Sequence, residues 1–242
     1  MYKKSSIENV LLDNKHRPFA MPQSPWKYYQ EWHDVIFAHW NVAVPSLRAL
    51  IPSALELDLF EGNAWVSLVA FTIKHLRPRY IPSLKALSDF YEVNLRTYVI
   101  RNGKPGIYFL SIEAQKLASA LMAKLVTGLP YIKSDIKREL NFYQSTNIRK
   151  GFEFSIHYEP LKGILEKNGL EKWLIERYCL FNELPGNIYS HDIHHREWPL
   201  QSLAVNSFDL HYQFKDLIIN NAADLYHYSK GVQVPTWGKR SA

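Results

Sequence analysis

The chain has 242 residues, 47% hydrophobic and 21% charged, which is enough apolar mass for one sizeable core and too little charge for wholesale disorder. Its net charge of +6 comes from scattered Lys and Arg; the densest run, Lys133 to Arg138, is interrupted by Ser134, Asp135 and Ile136, so no nucleic-acid partner is expected. A single cysteine, Cys179, excludes an intramolecular disulfide and a cysteine-rich zinc site. No apolar run has membrane-span length and no apolar signal core follows Ser5, so the expected compartment is the cytoplasm, with no membrane partner.

Residues 1–25 are polar and punctuated by Pro18, Pro22 and Pro25, which predicts a lead-in arm to one domain spanning 1–242. Trp32 to Val42 reads as the first strand. Pro45 to Pro52 reads as a short helix with proline near its start and past its end. Leu57–Phe60 and Ala64–Phe71, separated by Glu61-Gly62-Asn63, predict a hairpin. Phe90–Ile100 and Ile107–Ser111 flank Asn102-Gly103, a strong hairpin signal because both residues tolerate positive φ. Ala114 to Thr127 carries Leu117, Leu121 and Leu125 at helical spacing and ends at Gly128, a helix with its C-cap. Further strands are expected at Glu139–Tyr143, Gly151–Tyr158, Ile188–Glu197 and Asp224–Val234, with a helix at Leu161–Asn168. Glu171–Tyr178 fits either helix or strand, and Pro199–Val205 is unassigned. Many strands and one dominant helix predict an α+β domain on a mostly antiparallel sheet or barrel.

Alternation puts Glu92, Asn94, Arg96 and Tyr98 on one face of their strand, and Tyr91, Val93, Leu95 and Val99 on the other. This ladder of acid, amide, guanidinium and phenol is either a solvated face or the wall of a pocket, with Arg96 gripping a carboxylate and Glu92 moving protons. Glu113 ends the neighbouring strand and falls near Glu92 if the register is simple; two close carboxyls raise one another's pKa. His191 and His195 share a face if their segment is a strand, but two histidines make too few ligands, so no metal is expected. His39 and His227 read as hydrogen-bonded structural residues. Neither a phosphate-binding glycine loop nor a Gly-x-Ser-x-Gly elbow occurs.

Several rare combinations, in order along the chain, resemble the YqjF-like bacterial family: Phe37-Ala38-His39-Trp40, Glu92-Val93-Asn94-Leu95-Arg96-Thr97-Tyr98, Gly128-Leu129-Pro130-Tyr131, Arg177-Tyr178, and His194-His195-Arg196-Glu197-Trp198-Pro199. That family is similar in fold to acetoacetate decarboxylase, which implies a closed, cone-shaped β-barrel with helices packed outside and a pocket within. The decarboxylases form a Schiff base through a lysine in Gly-Tyr-Pro-Lys-Lys, activated by the second lysine, an example in general use for depressed lysine pKa. Here Gly128-Leu129-Pro130-Tyr131-Ile132-Lys133 is the similar stretch, with Tyr131 at the nucleophile's position and Ile132 at its neighbour's. The decarboxylase pocket glutamate resembles Glu92.

These residues imply a pocket for a small organic acid or carbonyl compound, without a cofactor. Glu92 and Tyr131 are the candidate catalytic groups, and Asn94, Arg96, Tyr98 and Glu113 the candidate ligand contacts. Two alternatives stay open: a non-catalytic structural or ligand-binding barrel, and a lyase using Lys133 or Lys124. Homo-oligomerisation is also open.

Overall fold

A computed structural model describes residues 7–117 and 128–242. The predicted helix at Ala114–Thr127 falls largely outside the described residues; Ala114 itself ends a strand. A short helix, α1 (Ile7–Leu12), lies in the expected lead-in arm. The arm is docked, since buried Arg17 donates to the Ile193 carbonyl at 2.7 Å.

The first half of the chain builds a long-stranded sheet. β1 (Tyr28–Val42) begins four residues before the predicted start and pairs antiparallel with β3 (Ala64–Pro78). Between them lie α2 (Val44–Arg48), with proline in its first turn as predicted, and β2 (Glu56–Leu57). The predicted hairpin across Glu61-Gly62-Asn63 does not form as a ladder: β2 pairs with β4 (Phe90–Arg101), and only a Phe60–Asn63 bridge remains. α3 (Lys85–Ser88) precedes β4. The Asn102-Gly103 hairpin forms as predicted, with φ of 50° and 74°, and joins β4 to β5 (Lys104–Ala114).

The second half departs more from expectation. The strand predicted over Glu139–Tyr143 is instead the turn between β7 (Asp135–Glu139) and β8 (Phe142–Asn147), which Asn141 makes with φ 60°. β6 (Tyr131–Lys133) precedes β7, and β9 (Phe152–Pro160) follows β8. No helix forms over Leu161–Asn168. The helix is α4 (Gly169–Ile175), with Asn168 and Glu171 forming a reciprocal capping box, so Asn168 starts a helix that it was expected to end. Then come β10 (Cys179–Leu184), β11 (Asn187–Asp192), β12 (Leu200–Phe214, starting in the unassigned stretch), β13 (Leu217–Ile219), β14 (Leu225–Thr236) and β15 (Arg240–Ser241).

The strands form one curled sheet in the order β15-β11-β10-β5-β4-β3-β1-β14-β12-β9-β8-β7, with β2, β6 and β13 off this path. The barrel implied by the family resemblance is not closed, because the ladder stops at β15 and at β7. The sheet is mixed, since β5 pairs in parallel with both β6 and β10. β1 bends at Asp34 (φ 51°), next to the His33–Gly231 pair. A Cβ on Gly231 would stand 1.8 Å from the Trp32 carbonyl oxygen, so only glycine permits this approach.

Strands β1, β3 and β4 are buried on both faces, and alternate residues enter two cores. On one side Ile36, Ala38, Leu68 and Val93 pack with Tyr143 of β8, Phe154 of β9 and Tyr212 of β12. On the other, Val35, Phe37, Val69 and Phe71 meet Leu174 and Ile175 of α4 together with Trp198 and Leu200. No helix among the described residues is long and apolar enough to cross a membrane.

Candidate functional site

The predicted polar face of β4 is real, and it is buried. Pairing places Glu92 opposite Phe71, Asn94 opposite Val69 and Arg96 opposite Ser67, so these side chains enter the second core and not solvent. A cavity of about 310 Å³ opens there, lined among others by Glu92, Asn94, Arg96, Tyr131, Trp32 and Trp198. Tyr131 reaches it because β6 runs beside the end of β5, with Tyr131 opposite Ile112.

Glu92 is 3% exposed and has two donors: the Tyr131 hydroxyl gives a hydrogen bond to Oε2 at 3.0 Å, and Asn94 Nδ2 gives one to Oε1 at 3.0 Å. Burial outweighs both and pushes the Glu92 carboxyl up to about 7, so it exchanges its proton near neutral pH. Burial together with the Glu92 charge raises the Tyr131 phenol well above its ordinary value, which keeps it a neutral donor.

Arg96 is buried, with Nε and Nη2 lacking hydrogen-bond partners among the described residues. Desolvation lowers its pKa, while contact with Tyr98 opposes this. Its guanidinium lies 6.0 Å from the Phe37 ring centre. Arg177, which the sequence did not single out for chemistry, also lines the cavity. It is tied to Asp58 at 2.5 Å and donates Nε to the Trp173 carbonyl at 2.6 Å, yet its Nη2 is unpartnered. Its charge adds to the positive potential at Arg96. An adjacent Glu176-Arg177 pair inside the otherwise apolar Trp173–Phe181 stretch was the available signal.

Two expected ligand contacts belong elsewhere. Tyr98 is fully buried and does not line the cavity. Its hydroxyl bonds Ser67, which bonds His39 at 2.6 Å, and Trp173 covers its ring at 4.5 Å. Glu113 faces the other core. A one-residue irregularity in β5 at Leu110 sets Glu113 opposite Val93, so the two carboxyls do not converge. Glu113 accepts from the Tyr212 hydroxyl at 2.6 Å and Ser145 at 3.0 Å, and burial raises its pKa also.

His191 lines the cavity and hydrogen-bonds Asn182 at 3.2 Å. His195 stands beyond the end of β11, in contact with Tyr178 and Trp198, and burial lowers its pKa to about 4, so it is neutral. Among the described residues no three His, Cys, Asp or Glu side chains gather as a metal would require. His227 hydrogen-bonds Glu171 at 3.2 Å, consistent with its structural reading. Cys179 is a free buried thiol whose pKa burial raises to about 12. Lys133 is exposed, and Lys124 lies outside the described residues.

The family model DUF2071, an uncharacterized conserved protein, matches residues 29–233. The chain belongs to this family. It is 38% identical over 238 residues to the uncharacterized protein YqjF of Bacillus subtilis (strain 168), covering 93% of this chain and 97% of that one. Its fold is similar to the enduracididine biosynthesis enzyme MppR complexed with pyruvate, with TM-score 0.60, 12% identity and 93% of each chain covered. It is likewise similar to acetoacetate decarboxylase from Legionella pneumophila, with TM-score 0.57, 13% identity, and 100% and 97% covered. An acetoacetate decarboxylase-like enzyme from Sphingomonas wittichii RW1 gives TM-score 0.55, 13% identity, and 93% and 97% covered. At such identities these structures speak for fold alone.

Proposed function

We propose that this DUF2071 protein binds a small organic acid carrying a carbonyl group and transfers protons at the carbon beside that carbonyl. The observation that carries this reading is that Glu92, Asn94, Arg96 and Tyr131 all line one cavity, with the Arg96 Nε and Nη2 unpartnered. A buried guanidinium without an anion is costly, and a ligand carboxylate in the cavity that Arg96 and Arg177 line balances their charge. Glu92, ionising near 7, takes a C–H proton in its charged form and returns one in its neutral form, interconverting keto and enol. Tyr131 and Asn94 hold the carboxyl in place from either side.

Schiff-base chemistry has no support from Lys133, which is exposed. The pyruvate with which MppR is complexed accords with an oxo-acid pocket on this fold. A lone, buried, reduced cysteine suits the cytoplasm. Proton NMR in deuterium oxide tests the reading on a series of 2-oxo acids. The wild type should accelerate exchange of the hydrogens next to the carbonyl, Glu92→Gln should lose that acceleration, and Arg96→Ala should weaken binding. Exchange unaffected by Glu92→Gln defeats the proposal. A borohydride-trapped adduct on Lys133 or Lys124, lost on replacement by Arg, would revive a lyase.

A further inference from the structure

The cavity has a direction. Of its lining residues, those exposed to solvent are Pro78, Ile81, Pro82 and Leu84, which form its mouth. Pro78 ends β3 and the other three follow it; the β3–β4 ladder begins nearest to them at Ile73 with Phe90, and inward from there come Phe71 with Glu92, Val69 with Asn94, and Ser67 with Arg96. At about 3.3 Å per residue, the Arg96 Cα lies about 13 Å deeper along the strand than the Glu92 Cα. Arg96 is therefore at the inner end, the proton-transfer group stands between, and apolar residues lead outward.

Volume and lining limit what fits. At about 310 Å³ the cavity is roughly twice the ~150 Å³ apolar void that accepts benzene. A three- or four-carbon oxo acid held at Arg96 leaves the outer part, walled by Trp32, Phe71, Phe90 and Leu76, without contacts, and water gains little there. At the rim Ile81 is 56% exposed and Leu84 66%, and an apolar chain leaving the cavity covers them.

Building on the carboxylate reading above, we infer that the ligand is an elongated amphipathic acid: its carboxylate sits at Arg96 and Arg177, its carbonyl lies beside Glu92, and an apolar body of about eight to ten carbons points to the mouth between Ile81 and Leu84. The inverted placement, with the carboxylate at the mouth, would use Arg77. That guanidinium already donates to the Pro78 and Arg79 carbonyls and lies over the Trp26 and Tyr29 rings. Arg96 has no such engagement of Nε and Nη2.

Calorimetric titration of the full chain with straight-chain 2-oxo acids, from pyruvate to 2-oxodecanoate, tests this. Affinity should rise about fourfold for each methylene buried, through 2-oxodecanoate. Ile81→Asp, on an exposed residue, should weaken 2-oxooctanoate about tenfold and leave pyruvate unchanged. Arg96→Met should weaken all acids by a common factor and Arg96→Lys by less, with circular dichroism reporting that both fold. Equal affinities along the series, with Arg96→Met still damaging, overturn the inference and leave the carboxylate reading standing. A steep series untouched by Arg96→Met overturns both. Loss on Arg77→Ala but not on Arg96→Met means that the acid binds inverted and also refutes the assignment.

Discussion

Glu92 and Glu113 are two buried carboxyls on neighbouring strands, with raised pKa values of the same cause, and they face opposite sides of the sheet. Glu113 points into the aromatic core beside Tyr143, Phe154 and Tyr212, where Tyr212 and Ser145 occupy its oxygens, and it is not among the residues lining the cavity at Glu92. Glu92, one residue and one strand away, points to the other face, where Tyr131 and Asn94 hold it at the wall of a 310 Å³ cavity shared with Arg96. Burial alone raises a carboxyl's pKa; only adjoining space lets that carboxyl meet a substrate. The separation traces to one residue. Counting back from Asn102-Gly103, a regular hairpin would set Glu113 opposite Glu92, and the bulge at Leu110 moves it one place, hence to the other face.

The largest expected effect therefore comes from deleting Leu110. Removing the bulge turns Ser111 to Ala114 over and drives Glu113 toward the cavity and Ile112 out of its place, so loss of cooperative folding is expected. A variant with an unchanged melting temperature would show that the bulge does not set the register.

Glu113→Ala should cost about 3 kcal/mol in urea unfolding, because the buried Tyr212 and Ser145 hydroxyls lose their acceptor, while ligand affinity of the folded fraction stays within about twofold. Loss of affinity without loss of stability would exchange the roles of the two carboxyls.

Glu92 separates from Glu113 by pH. Its folded pKa is raised, so the native state holds more protons than the unfolded chain between about 4.5 and 7. Stability is then fully present below 4.5 and falls as pH rises through that window, by at most ~3 kcal/mol. Glu113 slopes in the same direction, so the readout is the difference between wild type and Glu92→Gln, which should widen with pH in favour of the variant. A constant difference from pH 4 to 8 would mean that folding does not shift the Glu92 pKa.

Gly103→Val bears on the hairpin that carries both carboxyls. Its φ of 74° suits glycine and resists a β-branched side chain, so about 1–2 kcal/mol of stability should be lost, with both pKa values kept. Unchanged stability would argue against this turn geometry.

Local chemistry was enough for the features it governs. Alternation along Phe90–Ile100 placed Glu92, Asn94 and Arg96 on one face, and Asn-Gly made the turn, because both effects act within a few residues. Tyr131 was found by resemblance, not by pattern, since its hydrogen bond to Glu92 spans 39 residues of sequence. Asn168-x-x-Glu171 is a readable capping box, and it starts α4 at Gly169.

By itself the sequence determined a strand-rich chain with a β4–β5 hairpin and one polar face on its first strand, because pleat and turn preferences are local. Whether that face met water or a cavity was decided by α4 and Trp198 packing over it, contacts between residues far apart in the chain. Which carboxyl joined the cavity was decided by a bulge, because side-chain facing has a period of two and one extra residue reverses it. That the sheet stays open was likewise tertiary, since no single strand's sequence records whether its outer edge finds a partner.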